Sequence, residues 1–91
     1  MQIEEIQKFL EKKAAADKSY VKITFKSARE SIYGLFLQHQ NDYKDLSSKN
    51  FWRIVPQSQL NEYNRSKNDN LAKIFNGAEF SRLALYEESF Q

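Results

Sequence analysis

Asn76-Gly77 stands between two apolar runs, Leu71 to Phe75 and Ala78 to Tyr86, and no other local feature narrows the fold as far. Both residue types tolerate the positive φ that the central positions of a type I′ turn require, and the twist of that turn matches the twist of paired strands. The chain is therefore expected to end in a β-hairpin, with the two runs paired to each other. The rest of the architecture follows by reading back from that hairpin.

Between Tyr20 and Lys26 the alternation is strict: Val21, Ile23 and Phe25 fall on one face, Tyr20, Lys22, Thr24 and Lys26 on the other. This is the pattern of a half-buried strand. A second strand is expected from Ser31 to Gln38, where Ile32, Gly34 and Phe36 share one face and Tyr33, Leu35 and Leu37 the other. Because both faces are apolar, this strand should be central or sharply bent. Gly34 suits a bend or the close approach of another segment. Phe51 to Val55 is a third strand, ended by Pro56, which has no N–H for a ladder.

Ahead of these strands, Ile3, Ile6, Phe9, Leu10 and Ala14 recur at helical spacing, predicting an amphipathic helix that Asp17-Lys18-Ser19 breaks. Asn41 to Asn50 is polar apart from Tyr43 and Leu46 and is expected to be a loop. Gln57 to Asn70 has Leu60 and Tyr63 three apart, which predicts a helical turn capped by Ser58 and then a solvated loop.

The expected fold is thus mainly β with an N-terminal α-helix: a small five-stranded, strongly bent antiparallel barrel with a short helical insertion between strands 3 and 4. A chain of 91 residues makes a single domain, divided into an N-terminal helix (1–17), a barrel (20–86) that includes the insertion (57–70), and a tail (87–91). Seven Phe, five Tyr and one Trp supply the large apolar surfaces of its core. With no cysteine, disulfides, thiolate nucleophiles and thiolate metal sites are excluded together. A formal charge of +2 neither demands nor forbids an anionic partner. Apolar stretches are far shorter than the roughly 18–20 residues that cross a bilayer, and Glu4 and Glu5 are unlike a signal peptide, so a cytoplasmic protein without membrane contact is expected.

Val21-Lys22-Ile23-Thr24-Phe25 followed by Ile32-Tyr33-Gly34-Leu35-Phe36-Leu37, and later Phe75-Asn76-Gly77 with Phe80 and Leu83, resemble the two motifs of the Sm and Sm-like small-barrel family, over about Ile3 to Tyr86. The resemblance implies the same five-stranded barrel, rings built by pairing the fourth strand of one copy with the fifth of the next, and a pocket for single-stranded RNA. Carried onto this sequence, Tyr43 would stack on a base, Asn41 would hydrogen-bond it, Lys44 would contact phosphate, and Asn76-Gly77 would complete the pocket. Asn76 stands where the family carries Arg, and residues 57 to 70 are an addition to the family's pattern. Lys49, Arg53, Lys73 and Arg82 are further phosphate candidates, weighed against Asp42, Asp45 and Glu79 and against a Tyr43 that only covers its loop.

Catalytic chemistry finds little material. His39 is the sole histidine, Asp42 and Asp45 sit on a polar stretch without the burial that separates acid from base, and Gly34 and Gly77 cannot build a phosphate loop. No spacing suggests a metal or cofactor site. Aromatic residues with polar tips favour interface centres, which makes Tyr33, Trp52 and Tyr63 candidates for protein contact. Trp52 is opposite in phase to Phe51 and Arg53, so one of the two rings covers the insertion or faces a partner; alternatively residues 57 to 70 fold over Trp52. The expected function is non-catalytic binding, through a protein partner or self-association, with single-stranded RNA as the alternative ligand.

Overall fold

A computed structural model describes residues 1 to 13 and 20 to 86; the expected helical residues 14 to 17 and the tail 87 to 91 lie outside the described residues. The alternating segment forms β1 (Tyr20–Phe25), with Val21, Ile23 and Phe25 buried. It pairs antiparallel with β2 (Ile32–Phe36) on one side and β5 (Phe80–Tyr86) on the other. β3 (Phe51–Pro56) pairs with β2, and β4 (Lys73–Asn76) pairs with β3. The five strands make one antiparallel sheet in the order β4-β3-β2-β1-β5, with β2 at its centre.

Both faces of β2 are covered, as its two apolar faces require. On the inner side Phe36 joins Val21, Ile23, Trp52, Ile54, Phe80 and Leu83, and the helix α1 (Ile3–Lys13) closes this core with Ile6 and Leu10. On the outer side Leu35 and Leu37 join Val55 and the residues Leu60 and Tyr63 of α3 (Leu60–Ser66). The insertion therefore supplies a second, smaller core behind the sheet. Gly34 exists for close approach: a Cβ there would lie 2.5 Å from Ile54 Cγ2 and 2.9 Å from the Val55 carbonyl oxygen. Ser58 does not cap α3. It falls inside a 3₁₀ turn (Gln57–Gln59) that leads into the helix from Pro56, and the residue at the cap position is Gln59.

Two further expectations are corrected. First, the stretch from Asn41 to Asn50 is not a loop, because Tyr43–Ser48 is helical (α2). Tyr43, packed on the core, and Ser47, buried, are four apart on its inward face, the Leu46 N–H donates to the Asp42 carbonyl at 2.9 Å, and Asn50 ends the segment at φ 65°. Second, Asn76-Gly77 is not a hairpin turn. β4 and β5 are the two opposite edges of the sheet, no ladder joins them, and no glycine has positive φ. Asn76 is extended, its side-chain oxygen accepts from the Ala78 N–H at 2.9 Å, and a 3₁₀ turn (Gly77–Glu79) carries the chain to the far edge. The sheet is thus open, although it curls enough to bring the Phe75 ring of β4 within 6.4 Å of the Phe25 ring of β1, centroid to centroid.

Candidate functional site

The register at β3 determines what edge strand β4 presents. The Leu37 N–H donates to the Arg53 carbonyl at 3.0 Å, so the backbone polar groups of Arg53 face β2. Ile74 lies opposite Arg53 on the β4 side, and in an antiparallel ladder the pairs alternate between hydrogen-bonded and non-hydrogen-bonded. Ile74 therefore turns its N–H and C=O away from β3, towards the open side of the sheet. The N–H of Asn76, two residues on, points the same way, while the Asn76 C=O accepts the first bond of the 3₁₀ turn Gly77–Glu79. Among the described residues no strand pairs with β4 on that side.

Side chains reinforce this edge. Directly opposed residues share a face, so Phe51, Arg53, Ile74 and Asn76 all project outward. Phe51 (37% exposed) and Ile74 (53% exposed) are the large hydrophobic residues left in solvent among the described residues, and they are diagonal neighbours in this pairing. Along the free edge runs a groove of about 480 Å³, lined on the β4 side by Lys73, Ile74 and Phe75 and across from it by Arg29, Ile32 and Glu79. The Arg29 guanidinium carbon lies 4.2 Å from the Phe25 ring centroid and 5.8 Å from that of Phe75, spanning the mouth between the β1–β2 connection and β4. Neither Arg29 nor Lys73 forms an ion pair among the described residues. The arrangement is an unpaired strand edge beside a groove of mixed apolar and polar lining, with two cations and one carboxylate.

Of the residues suggested for an RNA pocket, Tyr43 and Gly77 lie against Trp52 as structural parts, and Asn41, Lys44 and Asn76 do not join them there. Tyr43 is half-buried with its ring centroid 6.1 Å from that of Trp52, and burial, aided by the Glu11 carboxylate, raises its phenol pKa above 10.0. Gly77 is buried, and a Cβ on it would lie 2.7 Å from Trp52 Nε1. The Asn76 side chain is occupied by its own turn. Asn41 and Lys44 are exposed at the start of α2. Beside them Arg53 donates to Asp42 Oδ1, which holds the Asp42 carboxyl below its ordinary 3.8.

Of the residues suggested for protein contact, Trp52 is 1% exposed and its Nε1–H donates to Asn50 Oδ1 at 2.8 Å. The expectation that residues 57 to 70 cover it is also corrected, since it packs in the core closed by α1. Phe51, the ring of opposite phase, is the one that faces outward. Tyr63 is 6% exposed, packed with Leu60 in the second core. Tyr33 is half-buried on the outer face of β2, with Lys22 Nζ 6.0 Å from its ring centroid. Sequence reasoning did not single out Ile74 or Arg29 as site residues, and it named Phe51 only as the ring that shares with Trp52 the choice of facing a partner. The phase of Phe51 against Trp52 was a usable signal, whereas Arg29 becomes notable only once Phe25 and Phe75 meet beneath it.

His39 lies 3.9 Å from Asp69, both about half exposed. Among the described residues no cluster of three or more His, Asp or Glu can hold a metal ion, and no helix is long and apolar enough to cross a membrane. Comparison with family models, curated proteins and solved structures finds no match to this chain.

Proposed function

We propose that this chain is a non-catalytic binding module whose β4 edge pairs with a strand from another protein chain, in the first instance the β5 edge of a second copy. One observation carries the reading: the N–H and C=O of Ile74 and the N–H of Asn76 are turned to an open groove, next to two exposed large hydrophobic side chains. Unpaired edges of this kind are templates for strand addition unless a charge, proline or covering segment blunts them. β4 has only Lys73 as a guard.

The small-barrel reading belongs to the same proposal. The strand order, the doubly covered central β2 and the Phe25–Phe75 contact across the curl support a barrel whose seam lies between β4 and β5, as the Sm-like resemblance implies. Edge-to-edge pairing is heterologous, so copies would close into a ring or extend as a filament.

Light scattering over a range of protein concentrations tests this. The expected result is association that rises with concentration and is abolished by Ile74→Pro, which removes an outward N–H without breaking a β3–β4 hydrogen bond. A wild-type chain that stays monomeric throughout would overturn self-association.

A further inference from the structure

The charge of the groove goes further than the open edge alone and points to the chemistry of its occupant. A strand added antiparallel to β4 would place the residue opposite Ile74 on the outer face, beside Ile74 and Phe51, because opposed residues share a face. Its two neighbours would turn inward, onto the face of Lys73 and Phe75. There they meet the Arg29 guanidinium, placed over the rings of Phe25 and Phe75, and the Lys73 ammonium, against the single carboxylate of Glu79. A guanidinium pre-oriented on aromatic faces loses little freedom when it takes a carboxylate, which it can grip with two parallel N–H donors.

We infer that the β4 groove selects an extended segment of another protein in which large apolar residues alternate with Asp or Glu, the apolar side chains lying on Ile74 and Phe51 and the carboxylates on Arg29 and Lys73. This rests on the reading that β4 accepts a strand, but not on self-association. Between Phe80 and Tyr86 the chain's own β5 carries Arg82 and no carboxylate, so an acidic segment matches the groove better and should displace a second copy.

The test is selection of a displayed library of random peptides, about ten residues long to match ordinary strand lengths, on the full chain. Enriched sequences should alternate apolar and acidic residues. Their affinity should fall about tenfold or more on Arg29→Glu combined with Lys73→Glu, and should weaken with salt. The Ile74 and Asn76 amides should exchange about tenfold more slowly in the presence of the tightest peptide. Absence of any enriched sequence, or enrichment without an acidic excess, overturns the inference. In the second case, slowed exchange at Ile74 and Asn76 would leave the strand-edge reading standing. Acidic peptides that bind without slowing those two amides would remove both.

Discussion

Gly77→Ala separates two physical accounts of the same residue. Read as a hairpin glycine, Gly77 is needed for a positive φ, and the cost of alanine would be backbone strain that no neighbour could relieve. In the folded chain its φ is ordinary, and what forbids a side chain is space: a Cβ would sit 2.3 Å from Asn50 Oδ1 and 2.7 Å from both Ile6 Cδ1 and Trp52 Nε1. Asn50 cannot swing aside freely, because its Oδ1 accepts from Trp52 Nε1 at 2.8 Å and its Nδ2 donates to the Met1 carbonyl at 3.1 Å. Overpacking costs about 1–3 kcal/mol, and weakening the Trp52–Asn50 hydrogen bond adds about 1 kcal/mol. The smaller unfolded-state entropy of alanine returns about 0.4–1 kcal/mol. The net loss is about 2 kcal/mol, a fall in Tm of roughly 8–16 °C for a domain of this size.

Urea unfolding followed by the fluorescence of Trp52, the sole tryptophan, measures the loss directly. The decisive variant is Asn50→Gly, which keeps a residue able to hold φ 65° while removing the nearest obstructing atom. In that background Gly77→Ala should cost about 1 kcal/mol less, a coupling well above the few tenths expected of independent sites. A neutral Gly77→Ala, or a cost that adds to that of Asn50→Gly without coupling, would refute the steric account.

Gly34→Ala should be the harsher glycine substitution, at about 2–4 kcal/mol in the same urea assay, because one of its two close contacts is the Val55 backbone carbonyl, which cannot rotate away. A loss below 1 kcal/mol would show that β2 and β3 separate more easily than their register implies. Tyr43→Ala should lower stability by about 1–3 kcal/mol through loss of its packing on Trp52; unchanged stability would place the ring in solvent. By NMR titration the Asp42 carboxyl should titrate below 3.8, so its stabilising pairing with Arg53 is fully present above that pH and is lost as pH falls through the folded-state value. Asp42→Asn should erase that acid-side dependence, and titration at or above 3.8 would dismiss the pairing. Tyr43 has the opposite sign: its contribution is complete below pH 10.0 and is lost as pH rises through the higher folded-state value, which absorbance titration of the phenol reads directly.

Local pattern was enough wherever one short segment had one dominant face. The strict alternation at Val21, Ile23 and Phe25 could only be a half-buried strand, the two apolar faces of β2 demanded cover on both sides, and the stripe of Ile6 and Leu10 demanded a surface to lie on. Pairing was a different matter. Asn-Gly reports what a dipeptide tolerates, and whether its flanking strands meet depends on the whole sheet, which here sends β4 and β5 to opposite edges. The site was hidden for the same reason. Trp52 and Tyr63 have the chemistry of contact residues, and only the packing of α1 and α3 turned them inward, leaving Phe51 and Ile74 outside. Composition and periodicity thus determined the strands, α1 and the helical insertion, but not α2, whose polar sequence read as a loop. Which edge stays open, and that Arg29 stands over it, was decided by contacts between residues far apart in the chain, whose geometry no local window contains.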